Sequence, residues 1–129
     1  MEKFIEFDLE QYEDLIHGNG ADENSVSDAE EELGLKFCPE YKQYLNKYGL
    51  AIVNGHELSG LSSNKRTNVV ELTKKCKDNS EFSKNKYVIE ETNVDGIVIW
   101  QNSKGCIYSL INGKGTKIAD SLSEYIDKY

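Results

Sequence analysis

The chain has 129 residues, of which 38% are hydrophobic and 10% aromatic, and this composition predicts one globular domain spanning residues 1–129. No apolar stretch reaches the ~18 residues that cross a bilayer, and the first residues lack a basic segment followed by an apolar run, so we expect neither a membrane span nor a cleaved secretion signal. A net charge of −8 and a single arginine argue against direct binding of nucleic acid, because Lys and Arg supply affinity for phosphates.

The charge is unevenly distributed, with −11 in residues 1–35 and +3 in residues 36–129. Residues 2–16 have an apolar residue every three or four positions, which predicts an amphipathic helix with Ile5, Leu9, Tyr12 and Ile16 inward. Carboxylates recur four apart on its other face, and each like-charge pair costs about 0.2–0.5 kcal/mol. The acidic face is either simply solvated or kept acidic for a basic partner.

Two further helices are expected before the sheet. After a polar loop at residues 19–24, Ser27 and Glu30 form a capping-box pattern, and the helix that follows should end at Leu33 and Gly34. The next helix should begin at Pro39, because proline suits a first helical turn, and should end at Gly49. Its inward face is formed by Tyr41, Tyr44, Leu45 and Tyr48.

The pattern changes after residue 50. Residues 51–53 read as a strand, residues 57–61 as a connection and residues 68–82 as a helix, followed by strands at 87–90, 96–101 and 106–111. Ser121 and Glu124 form another capping box, which predicts a closing helix. The expected fold is α+β, with N-terminal helices, then a mainly antiparallel sheet, and a closing C-terminal helix.

Few residues suggest catalysis. Cys38, Cys76 and Cys106 have neither disulfide nor zinc spacing, so we expect reduced cysteines in a cytoplasmic protein without a metal or other cofactor. His17 and His56 are expected in loop or cap positions. The sequence therefore favours a protein that is not an enzyme.

Two patterns have simple structural interpretations. Residues 113–115, Gly-Lys-Gly, superficially resemble a phosphate-binding loop but follow a strand and precede no helix, so a hairpin turn is expected. Glu90 and Glu91 should point to opposite sides of a strand, which prevents them from acting as a cooperating acid and base.

Trp100 lies in the middle of an expected strand. A core position is the simpler interpretation, and a binding platform is the alternative. Val98 and Trp100 should share one face while Ile97 and Ile99 share the other, so we expect this strand to be at least partly covered on both sides.

The order of these features resembles a known family. The features are Ser27-x-x-Glu30, Leu33-Gly34, Pro39, Tyr41-Lys42, Tyr44-Leu45, Tyr48-Gly49, Asp95-Gly96 and the closing segment 118–126. Together they resemble the SUKH superfamily of Smi/Knr-type domains, although Cys38 and Leu122 depart from its usual residues. The resemblance implies an α+β domain without catalytic residues. Bacterial members chiefly act as immunity proteins that bind a cognate toxin, often a nuclease, whereas fungal relatives act as scaffolds.

Binding surfaces in this family vary with the toxin, so the charge pattern must indicate the surface here. We expect a cytoplasmic immunity protein, monomeric or weakly dimeric, that binds a basic, nuclease-type toxin; the alternative is a scaffold or regulatory interaction module. A basic toxin cleft would be met by carboxylates, with Tyr12 or Trp100 as the apolar anchor. The expected partner-binding residues are Glu6, Glu10, Tyr12, Glu13, Asp14, Asp22, Glu23 and Trp100.

Overall fold

The computed structural model describes residues 7–77 and 80–129. Within these ranges the helices are α1 (Glu23–Leu33), α2 (Pro39–Lys47), α3 (Val69–Cys76) and α4 (Leu122–Lys128). The strands are β1 (Ile16–His17), β2 (Ala51–Val53), β3 (His56–Leu58), β4 (Lys86–Glu91), β5 (Val98–Asn102), β6 (Ile107–Ile111) and β7 (Lys114–Ala119). The α+β class is confirmed, with helices early and one after the sheets.

The predicted helix over residues 2–16 is wrong from residue 7 onward; its earlier part lies outside the described residues. Phe7 and Leu9 are buried while Asp8 and Glu10 are exposed, so burial alternates with the period of extended chain. The backbone amides of Phe7 and Leu9 donate to the Gln43 side chain and to the Tyr48 hydroxyl, each at 2.9 Å. Long-range side-chain acceptors thus replace the bonds of a helix whose like charges oppose it.

Helix α1 begins earlier than predicted. Its N-cap is Asp22, whose carboxylate accepts a hydrogen bond from the amide of Ser25 at 2.8 Å, so Ser27 lies inside the helix. Glu30 does not complete a capping box; it is buried and accepts from the amide of Phe37 at 2.8 Å. The helix ends as predicted at Gly34, which has a left-handed φ of 66°.

The later elements mostly follow expectation. Helix α2 begins at Pro39 as predicted, and its inward tyrosines are fully buried. Helix α3 is shorter than predicted, ending at Cys76, and β3 replaces part of the expected connection. Strand β7 was not predicted because four of its first five residues are polar or glycine and are exposed.

The strands form two antiparallel sheets. One has the order β1-β2-β3, and the other is a meander with the order β4-β5-β6-β7. A hairpin connects β6 to β7 as predicted, but its turn is at Asn112 and Gly113, with φ values of 50° and 80°, and Lys114 and Gly115 already belong to β7. The two sheets meet where the amide of Ser59 donates to the carbonyl of Ile89 at 2.7 Å.

Strand β5 is covered on both faces, as predicted. Ile99 belongs to the main core, together with the helix α2 tyrosines and helix α4. Trp100 points the other way, into a smaller cluster with Leu72 and Val88 that Phe82 packs against. The core interpretation of Trp100 is therefore confirmed.

Candidate partner-binding surface

Four of the expected partner-binding residues come together on one segment, residues 8–14, which we call the acidic segment. Glu10 accepts a hydrogen bond from the Tyr48 hydroxyl at 3.0 Å, and its carboxylate lies 3.7 Å from the ammonium of Lys47. The hydroxyl of Tyr12 donates to Asp127 of α4 at 3.4 Å. The segment is thereby tied to the ends of two helices.

Asp14 fixes the other end of the acidic segment. Its carboxylate oxygens accept hydrogen bonds from the amides of Asn54 and Gly55, at 2.9 and 3.3 Å, in the turn between β2 and β3. Glu13 is exposed, and its side chain makes no hydrogen bond or ion pair within residues 7–77 and 80–129. Glu13 is therefore the carboxylate of the segment that is available to a partner without breaking an internal contact.

Asp22 and Glu23 are exposed at the start of α1. The backbone amide of Ser25 holds the pKa of the Asp22 carboxyl below its usual range. In the described parts of the chain, no hydrogen bond or ion pair joins these two acids to the acidic segment. In sequence, β1 and the loop that follows it separate these two acids from the acidic segment.

The remaining two expected residues do not extend this surface. Glu6 lies outside the described residues. Trp100 is 0% exposed, beneath Phe82 and beside Leu72, so its inclusion among partner contacts is corrected: the side chain offers no area to a partner.

An apolar feature that was not predicted from the sequence lies beside the acidic segment. Ile16 is 65% exposed and Ile52 is 41% exposed, and the two are direct cross-strand neighbours on β1 and β2. The helical spacing in the sequence predicts Ile16 on a buried face instead. For Ile52, the sequence feature that indicates an outward side chain is the alternation within β2, because Ala51 and Val53 on either side of it point inward.

A buried polar cluster was also missed. The Glu90 carboxylate accepts from His56 Nδ1 at 2.9 Å, from the Tyr125 hydroxyl at 2.6 Å and from the Glu57 amide at 3.0 Å. Burial, and then the charge of Glu90, raise the pKa of the Tyr125 hydroxyl. The expected loop or cap role of His56 is wrong, because it lies in β3 and is buried.

The geometry of this cluster is structural. Glu91 points to the opposite side of β4, where it pairs with Lys75 at 3.0 Å, as predicted from the strand alternation. Glu90 joins β3, β4 and α4 and is almost completely closed off from solvent. We therefore assign it to holding the closing helix against the sheets.

Other possible sites are limited. A surface cavity of about 360 Å³ lies between β3 and α3 and mixes Lys65, Arg66 and Lys75 with Glu57, Glu71 and Glu91. Cys38 is buried and accepts from the amide of Tyr41 at 3.4 Å, and burial raises the pKa of its thiol.

Among the described residues, no three His, Cys, Asp or Glu side chains are grouped to hold a metal ion. None of the described helices has the length and apolar composition of a membrane span.

The chain matches the model of a known protein family. The family model SUKH_5, described as SMI1-KNR4 cell-wall, matches residues 1–129, and the chain belongs to this family. The resemblance to the SUKH superfamily is thereby confirmed. No curated protein matches the chain.

Proposed function

We propose that the protein is an immunity protein that binds and neutralises a basic, nuclease-type toxin. The observation that carries this proposal is the acidic segment, which presents carboxylates on a backbone fixed to α2, α4 and the β2–β3 turn. A segment that is already ordered loses little conformational entropy when it binds. Membership in the SUKH_5 family supports a role in protein–protein interaction.

The proposed mechanism is occlusion of the toxin rather than chemistry. A nuclease cleft is basic because it holds phosphates, and an acidic surface gains steering of association and specificity from this complementarity. The protein would act in the cytoplasm as a monomer or weak dimer, without catalysis and without a cofactor. The excess of acids in residues 1–35 supports this choice of a basic partner.

The alternative is a scaffold or regulatory interaction module. The cell-wall description of the matching family favours it. A scaffold would bind its partner without abolishing an activity of that partner, so the two functions differ in what happens to the bound protein.

The proposal is tested by isolating the complex from the native cell and identifying the partner by mass. The partner is then expressed in a bacterial host with and without this protein. We expect the partner alone to arrest growth and co-expression to restore it, and we expect the complex to lack the partner's nuclease activity. A partner that remains active in the complex would support the scaffold function instead.

A further inference from the structure

The outer face of the three-stranded sheet carries a row of three side chains. Ile16 on β1 is paired with Ile52 on β2, and Ile52 is paired with Glu57 on β3. Residues paired directly across antiparallel strands point to the same face. Ala51 and Val53 point to the opposite face and are buried in the core, so the row faces outward.

The two isoleucines form an apolar patch rather than scattered exposed residues. A single exposed hydrophobic side chain is ordinary in a folded protein. Here, however, two that are 65% and 41% exposed are in direct register, and the partly exposed Leu50 lies two residues before Ile52. Adjacent exposed apolar side chains inside a polar rim are an arrangement that interaction sites share, whereas singly scattered ones need no explanation.

The rim of this patch is acidic. Glu13 and Asp14 precede β1, and Asp14 is held at the β2–β3 turn by the amides of Asn54 and Gly55. Glu57 completes the row on the other side of Ile52. Beyond Glu57 the surface changes sign at Lys65 and Arg66, which share the surface cavity with it.

This charge pattern selects among possible occupants. In a symmetric pairing that lays β1 over β1 of a second copy, Glu13 and Asp14 of one copy would meet those of the other, and like charges brought together at an interface oppose association. A partner with basic groups around an apolar side chain has the complementary arrangement.

We infer that the Ile16–Ile52 pair is the apolar anchor on which a basic protein partner docks, with Glu13, Asp14 and Glu57 as its charged rim. This inference rests on the proposed function and replaces Tyr12 and Trp100 as the anchor. A stable interface buries roughly 800 Å² on each partner, which two side chains cannot supply. The pair is the central contact from which affinity arises, and the rim gives orientation and association rate.

The test uses synthetic peptides and the ¹⁵N-labelled protein. One peptide alternates lysine with isoleucine, a second alternates lysine with serine, and a third alternates glutamate with isoleucine. We expect the first peptide to shift the amide resonances of Ile16, Ile52 and Glu57, and the other two to bind at least tenfold more weakly. The double variant Ile16→Thr/Ile52→Thr keeps β-branched side chains, and we expect it to lose at least tenfold in affinity for the first peptide.

The matched control is Val94→Thr, which alters a side chain that is 57% exposed in the turn before β5. We expect its peptide affinity to match that of the unchanged protein. Equal binding by the double variant, equal binding of the glutamate–isoleucine peptide, or concentration-dependent dimerisation that the double variant abolishes would overturn the inference. The double variant is also tested against the partner isolated from native cells: unchanged affinity there would overturn the anchor while leaving the immunity function intact.

Discussion

Removing the Glu90 carboxylate should destabilise the fold more than any exposed substitution. Glu90→Ala leaves three donors without their acceptor: His56 Nδ1, the Tyr125 hydroxyl and the Glu57 amide. A buried donor left unpaired costs about 1–3 kcal/mol, so three such donors together lose at least about 3 kcal/mol. We therefore expect the free energy of unfolding to fall by about 3–5 kcal/mol, a large part of the total of a typical domain.

The assay is urea unfolding followed by the fluorescence of Trp100, the only tryptophan in the sequence and a fully buried one. The control is Glu91→Ala at the neighbouring residue, whose exposed pairing with Lys75 should contribute only about 0–1 kcal/mol. Replacing the cluster together, by His56→Leu, Glu90→Leu and Tyr125→Phe, should recover much of the loss because apolar groups of similar size leave fewer donors unpaired. A loss below about 1 kcal/mol for Glu90→Ala would refute the assignment of this cluster to stability.

Two further predictions concern stability. Burial raises the pKa of four tyrosine hydroxyls above the ordinary value of 10.0; they belong to Tyr41, Tyr44, Tyr87 and Tyr125. Because the folded state favours the neutral hydroxyl, the contribution of these tyrosines to stability is complete below about pH 10. It is lost as the pH rises toward their folded-state pKa values. Phenolate absorbance should therefore rise together with unfolding, and independent titration of all eight tyrosines in a folded protein would contradict this. Glu40→Ala should cost about 1–2 kcal/mol and increase hydrogen exchange in α4, because the Glu40 carboxylate of α2 accepts from the amides of Leu122 and Ser123 at 2.6 and 3.0 Å. Unchanged exchange in α4 would show that this contact does not hold the helix.

The sequence predicted the elements whose signals are local. Helix α2 has proline at its start, glycine just after its end and tyrosines at helical spacing, and α4 has its own cap in Ser121, so neighbouring residues define both. The segment before β1 has an equally clear apolar period but forms no helix in its described part. Its amides bond to the side chains of Gln43 in α2 and of Tyr48 just after it, and no local pattern encodes contacts across more than thirty residues.

The candidate site was predictable in its charge but not in its geometry. The excess of acids was visible in the composition, and the structure places Glu10, Glu13 and Asp14 on one segment. The apolar anchor was not visible, because whether an isoleucine faces outward depends on strand register. A shift of one residue in β1 would turn Ile16 toward the core.

The structure also decides which carboxylates can be reversed. Glu10 and Asp14 bond to Tyr48 and to the β2–β3 turn, so replacing them with lysine would disturb the fold as well as the surface. Glu13 and Glu23 are exposed and make no side-chain bond among the described residues. These two are the suitable positions for a test of charge alone.

The central claim is tested most directly by the rate of association between the partner isolated from native cells and the variant Glu13→Lys/Glu23→Lys, measured across a range of salt concentrations. The matched control, Asp28→Lys/Glu31→Lys, makes the same change in net charge on exposed residues of α1. We predict that the first variant associates at least tenfold more slowly at low salt, with a flatter salt dependence, and that the control keeps most of the original rate. Equal rates for the two variants would contradict an acidic docking surface at the acidic segment and the start of α1.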